Sequence, residues 1–262
     1  MNTTKRSIPH FCLLVFALIV PFWVAGALTG GMLLPGLPLA ALAAFCPAVA
    51  ALILVYRSEG GTGVRALLKR AFDFRRIERK GWYVPILLIM PGVMTLSFLL
   101  LRLIGVPVPA PQFSLLTVLG LCAFFFVGAL GEELGWSGYV IGPMQERWGA
   151  LNAALLLGAF QVFFHSVPLL QAGRSAEWIT WWSLYSMAGR VIVVWIYNNT
   201  GRSVFGAALY HMLVNVTWQL FPVEGSYFDP RITGSILGLL AAVIVAVWGP
   251  GLQERSQETM PS

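Results

Sequence analysis

Charge is what this sequence has least of. Only 11% of its 262 residues are charged, whereas 58% are hydrophobic. A water-soluble domain carries about 25% charged residues. The shortfall leaves too little polarity to cover a water-facing surface, which excludes a soluble globular enzyme and implies an integral membrane protein. Cysteine is nearly as scarce. Cys12, Cys46 and Cys122 each lie in an apolar run and no CxxC pair occurs, so a disulfide framework and a cysteine-held zinc are both excluded. The three read as small buried hydrophobes. The histidines are His10, His165 and His211, and the HExxH pattern of soluble zinc proteases is absent. No internal repeat and no second domain is evident, so residues 1–262 read as one integral membrane domain. The formal net charge of +6 is not a nucleic-acid signal, because the cations sit in the loops between apolar runs. The expected environment and partner is membrane lipid, with no nucleic acid.

What is abundant is long apolar runs. A spanning helix needs about 20 mostly apolar residues, and about eight candidates appear, at 10–34, 38–56, 82–105, 114–141, 151–169, 178–197, 203–221 and 232–249. The expected fold class is all-α, a polytopic bundle. Its boundaries are set by breakers: Val106 to Pro111, which no helix can cross, Gly142-Pro143, and the turn from Asn198 to Arg202. Between the second and third spans lies a basic loop, 57–80. Gly60 to Gly63 is a flexible turn there, and Val64 to Phe72 has helical apolar spacing that suits a basic helix on an anionic leaflet. A polar tail, 250–262, ends the chain.

Alternating sides from a cytoplasmic N-terminus puts both termini inside. Thirteen of the seventeen Lys and Arg then face the cytoplasm, including Lys5 and Arg255. Only Arg174 and Arg231 face out, while Arg102 and Arg190 lie in or near spans. That is the positive-inside pattern of a multi-pass protein of the inner or plasma membrane. Trp178, Trp181 and Trp182 read as an aromatic belt at the outer edge of the sixth span.

Few polar side chains interrupt the spans, and they cluster. Glu132 and Glu133 follow an apolar run from Ser114 to Leu130. Gln161, His165, Arg190, His211, Asn215 and Gln219 lie in the next three spans. A charged group inside a bilayer usually faces a cavity or a partner, and unpaired polar groups in lipid cost several kcal/mol. The fourth to seventh spans should therefore share a polar interior, with its chemistry on the cytoplasmic half of the bilayer. At 1.5 Å per residue, Glu132, Arg190 and His211 fall on one level; His165 fits only if its helix begins inside the membrane. His211 and Asn215, four apart, share one helix face. A glutamate general base can take a proton from water, a histidine can hold that water, and a second histidine with an amide can stabilise an oxyanion. Two histidines and a glutamate, Glu132, His165 and His211, suit zinc equally well.

Three patterns in order now carry a resemblance. Glu132-Glu133 with Gly135-Trp136 and Gly138-Tyr139 resembles an EExxxR motif. His165, followed by Ser166-Val167-Pro168, resembles the histidine of an aromatic-xxxH motif. His211 and Asn215 match HxxxN. The set, within 114–220, is similar to that of the CPBP family, the CAAX-prenyl-protease and bacteriocin-processing membrane proteases also called Abi. The resemblance implies a CAAX-protease-like core from the fourth to seventh helices and an intramembrane endopeptidase acting on a membrane-associated, in some members prenylated, protein. It implies Glu132 as the base activating water, His165 as its holder, and His211 with Asn215 at the oxyanion. It leaves a metal-free mechanism beside a metalloprotease one; no cofactor is required on the first, zinc on the second.

The sequence departs from the motifs twice. The motif arginine is Ser137, and the aromatic of the second motif is Gln161. Ser137 cannot neutralise a buried carboxylate, so Arg190, at matching depth, is the expected structural partner of Glu133. Gln161 is expected to bond a neighbouring helix or substrate, and Trp136 and Ser137 are candidates for the same outer ring. Two other functions compete: a non-catalytic immunity or chaperone-like protein on the same fold, and a proton-coupled transporter.

Overall fold

The computed structural model describes residues 6–254; Lys5, Arg255, Asn2 and the tail beyond Glu254 lie outside them. Local chemistry starts each helix. Ser7 caps α1 (Ile8–Thr29), its side chain accepting from the His10 N–H, and Gly30 ends it at φ 60°. The first apolar run does not continue helically to Leu34. It turns instead into a small hairpin, β1 (Met32–Leu34) and β2 (Leu37–Pro38), with Gly36 at φ 72° in the turn. A 3-10 segment (Leu39–Phe45) leads into α2 (Cys46–Lys69).

α2 absorbs half of the basic loop. Gly60 breaks its geometry at φ 65° and ψ −161°, and the helix then resumes to Lys69. This second half is docked on the bundle. Leu67 is fully buried, and Arg70 donates to the carbonyls of Gly138 (2.9 Å) and Arg202 (2.6 Å). Three short 3-10 turns follow, then α3 (Tyr83–Leu103).

α4 (Leu115–Gly135), capped by Ser114, widens into a π turn (Trp136–Val140) and continues as α5 (Ile141–Trp148). Gly142-Pro143 therefore does not break the chain. Pro143 falls in the first turn of α5, and the Tyr139 carbonyl that its missing N–H would have served accepts from Arg6 Nη1 instead. α6 (Ala150–Gln171), α7 (Ala176–Asn199), α8 (Val204–Gln219) and α9 (Pro230–Trp248) complete the order.

Seven stretches among the described residues are long and apolar enough to cross a membrane, and the protein is a multi-pass membrane protein. The expected span that is not among them is the seventh, 203–221, which is α8. Its 16 residues rise about 24 Å, short of the roughly 30 Å hydrocarbon core. Leucines such as Leu28, Leu103 and Leu116 stand more than four-fifths exposed on the outside, as lipid-facing residues must. The basic groups gather at one end. There Arg76 Nη1 donates to the Gly201 carbonyl at 3.1 Å, Arg79 pairs with Glu254, and Asn198 donates to Gln145 at 2.9 Å. The hairpin, the 172–175 turn and the 220–229 loop form the other end.

Candidate active site

The site is built where α4 is held closest to its neighbour. Gly131 and Gly135 flank the glutamate pair one turn apart. A Cβ on Gly135 would lie 2.5 Å from the Pro47 backbone, and one on Gly131 2.9 Å from the Ala44 carbonyl oxygen. Small residues at this spacing let helices touch backbone to backbone inside a membrane. That contact pins the register of α4 and turns Glu132 and Glu133 toward α6, α7 and α8.

Below the pair, the π turn leaves carbonyls without a regular helical partner, and two arginines take them. Arg6 Nη1 donates to Gly138 O at 2.9 Å and Tyr139 O at 3.1 Å. Arg70 Nη1 donates to Gly138 O at 2.9 Å. Neither contact was legible in the sequence, because the π turn that creates the acceptors has no pattern of its own.

The two glutamates live in opposite surroundings. Glu133 is 0% exposed and its carboxylate accepts from every side. Arg190 binds it in fork geometry, Nη2 to Oε1 at 2.8 Å and Nη1 to Oε2 at 3.1 Å. His211 Nδ1 lies 2.9 Å from Oε1, and Ser137 Oγ donates to Oε2. Arg190 Nε then donates to Gln161 Oε1 at 2.7 Å. A buried ion pair is tolerable when its remaining donors and acceptors are satisfied, and this one is. The two motif departures are thus both used: Ser137 and Gln161 bind the two members of the pair.

Among the described residues Glu132 receives one hydrogen bond, from Trp136 Nε1 to Oε2 at 3.0 Å. Its other oxygen, Oε1, is 4.0 Å from His211 Nε2, too far for a direct hydrogen bond. Trp136 is fully buried among Phe11, Phe160 and Phe164, so its indole N–H is a rigid donor.

The histidines are oriented by their Nδ1 atoms. His211 Nδ1 faces the Glu133 carboxylate, and His165 Nδ1 lies 2.8 Å from the Gln161 carbonyl. Both acceptors lack protons to give, so Nδ1 carries the hydrogen in each ring and Nε2 is left for chemistry. The His165 ring also packs against Trp182 at 5.4 Å.

Glu132, Gln161, His165, Arg190, His211 and Asn215 all line one cavity of about 430 Å³. α6 starts at Ala150, before the Asn152–Ala154 start that would set His165 level with the other groups, and His165 lies one turn beyond Gln161. The site therefore has two tiers. Glu133, Arg190, Gln161 and His211 form the lower one; His165 and Asn215, each one turn further along its helix, form the upper.

The cavity walls rise from this floor past Trp178, Trp182 and Trp218 to Leu33 and Leu37 of the hairpin. Two of the three tryptophans expected to form a belt thus line the cavity, and only Trp181 is exposed. Tyr185 and Tyr210 line it as well, their hydroxyls buried and without a partner among the described residues. Sequence reasoning missed both, because a lone phenol in an apolar helix has no distinguishing pattern.

The candidate zinc set does not fit a shared ion. Among the described residues no three His, Cys, Asp or Glu side chains are grouped to hold a metal.

Residues 113–217 match the family described as Type II CAAX prenyl endopeptidase Rce1-like. The chain is also 28% identical over 237 residues to CAAX prenyl protease 2 of Methanococcus maripaludis, an alignment covering 82% of this chain and 80% of that one. The matched region runs from the start of α4 to the last turn of α8 and contains Glu132, Glu133, Gln161, His165, Arg190, His211 and Asn215.

Proposed function

The chain is a relative of the Rce1-like CAAX prenyl endopeptidases, and on that premise we propose that it is an intramembrane endopeptidase using a glutamate-activated water. The observation that carries the reading is the contrast between adjacent carboxylates. Glu133 is saturated by Arg190, His211 and Ser137, whereas Glu132 has one fixed donor and an oxygen on the cavity. Two titratable groups in opposite environments are the usual mark of divided labour: one holds the site together and the other is left to react.

In the proposed reaction Glu132 takes a proton from a water held by His165 Nε2. The water oxygen bonds to the carbonyl carbon of the scissile peptide. The developing oxyanion accepts hydrogen bonds from the Asn215 amide and from His211, which donates through Nε2 when it carries a second proton. Glu133 supports that charged ring from the far side. Collapse breaks the C–N bond, and the proton on Glu132 passes to the leaving nitrogen. No step is routed through a metal, since the donor set does not gather one. The substrate is a segment of a membrane-associated protein; the relative's name makes a prenylated chain one candidate.

A comparison of protein termini in cells carrying the wild-type chain and Glu132→Gln tests the reading. New termini that depend on Glu132 are the expected result. Identical terminal profiles at equal expression would overturn it.

A further inference from the structure

Gln161 uses only half of its side-chain amide. It is 4% exposed and lines the cavity with Glu132 and His165. Its Oε1 accepts from Arg190 Nε at 2.7 Å. A guanidinium N–H can only donate, so the amide oxygen faces Arg190 and the NH2 group faces away from it. The guanidinium is itself anchored, Nη2 and Nη1 meeting the Glu133 carboxylate at 2.8 and 3.1 Å. The ion pair thereby fixes which way the amide of Gln161 points. Among the described residues nothing accepts a hydrogen bond from Gln161 Nε2. The atom is not shut in, unlike the Tyr185 and Tyr210 hydroxyls, and the space beside Gln161 is the cavity. An amide donor kept from bulk water without an acceptor is costly. An oriented donor at this place calls for an acceptor on whatever fills the cavity.

Gln161 and His165, four residues apart, share one face of α6, as His211 and Asn215 do on α8. α6 and α8 both pack against α7, and both pairs line the cavity. A polypeptide lying there meets a polar pair from each of two helices, between apolar side chains such as Phe125, Phe164 and Val214. In an extended chain successive carbonyls point to opposite sides. When the scissile carbonyl turns to His211 and Asn215, its neighbour in the chain turns the other way.

Resting on the peptidase reading above, we propose that Gln161 is a substrate-binding residue, its Nε2 donating to the backbone carbonyl adjacent to the scissile one. The aromatic that the aromatic-xxxH pattern places here has no such donor. The two departures from the motifs then form one device. Ser137 gives up the motif arginine, Arg190 supplies the charge from α7, and Gln161 holds Arg190 with one end of its amide and substrate with the other.

The test is a set of binding measurements on full-length protein in lipid nanodiscs. The probes are a quenched apolar peptide and analogues of it, each with one peptide bond replaced by a trans-alkene, which keeps the shape and removes the carbonyl. They are bound to the Glu132→Gln protein, with and without Gln161→Leu in the same chain. One analogue should bind about tenfold more weakly than the parent peptide when Gln161 is present, and no more weakly than the parent when it is replaced. Gln161→Leu also strands Arg190 Nε, so Gln161→Glu is measured beside it. That variant keeps an oxygen for Arg190 and removes the donor, and it should abolish the same penalty. Penalties that neither substitution alters overturn the proposal, as does failure of every peptide to bind.

Cleavage of the parent peptide by protein with Glu132 intact separates this contact from the peptidase reading. The alkene position that couples to Gln161 should neighbour the bond that is cut, and coupling at a more distant bond overturns the proposal. Coupled binding with no cleavage upholds the contact and removes the peptidase. Glu132-dependent cleavage with uncoupled binding upholds the peptidase and removes the contact.

Discussion

At the scale of single residues, the cost of charge in lipid made most of the site visible. Arg190 and Glu133 had no evident use in apolar helices except each other, and they meet in fork geometry. Removing one member of a buried pair strands the other and costs about 3–5 kcal/mol. Arg190→Leu should therefore lower the melting temperature in detergent strongly, and Glu133→Gln in the same chain should recover part of the loss. Additive losses would show that the two do not couple. Metal dependence is decided at this scale too. Exhaustive chelation of purified protein should leave cleavage unchanged, because among the described residues no three His, Cys, Asp or Glu side chains are grouped to hold an ion. Loss of cleavage restored by zinc would contradict that. What stayed hidden was neutral: Tyr185 and Tyr210 look like packing residues until the cavity beside them is seen.

At the scale of elements, periodicity located the helices and breakers located most of their ends. The errors have local causes. Gly142-Pro143 reads as a stop, but the π turn just before it has already reset the helix, and Pro143 enters in a first turn. The basic loop reads as a flexible turn and a helix lying on the leaflet, but Asp73 ties it to α8. Its carboxylate accepts from Ser203 Oγ at 2.7 Å and from the Phe205 N–H at 3.0 Å, capping a helix distant in sequence. Asp73→Ala should cost about 1–2 kcal/mol and speed proteolysis of the loop in folded protein. Gly135→Ala should cost about 1–3 kcal/mol, because its methyl group would overlap the Pro47 backbone.

The cap of α9 gives a pH signature. Burial alone would raise the Asp229 pKa, but hydrogen bonds from Arg231 outweigh it and hold the carboxyl below its ordinary value. A depressed carboxylate contributes stability above its unfolded pKa of about 3.9 and loses it as pH falls through the lower folded value. Asp229→Ala should therefore be less stable than wild type at neutral pH by about 1 kcal/mol. The gap should close in acid, as read by melting temperature against pH.

At the scale of the whole molecule, the sequence specified a helical membrane bundle with a shared polar interior, and the polar residues of four consecutive runs do meet. It could not specify how that interior connects to the outside. Access depends on which walls part, and the hairpin that shapes the mouth arises from a run that looks like the end of a spanning helix. α8 shows the same limit. Its sequence is apolar enough to continue, yet the chain turns after Gln219, and the last turns of the helix place Asn215 and Trp218 on the cavity wall.

The most direct test of the central claim is the rate at which purified protein in lipid nanodiscs cleaves a quenched apolar peptide, wild type against Glu132→Gln at matched thermal stability. Loss of general-base catalysis should lower the rate by about 10²–10⁴-fold while the Glu133–Arg190 pair keeps the fold intact. Cleavage by the Glu132→Gln variant at the wild-type rate would contradict the account.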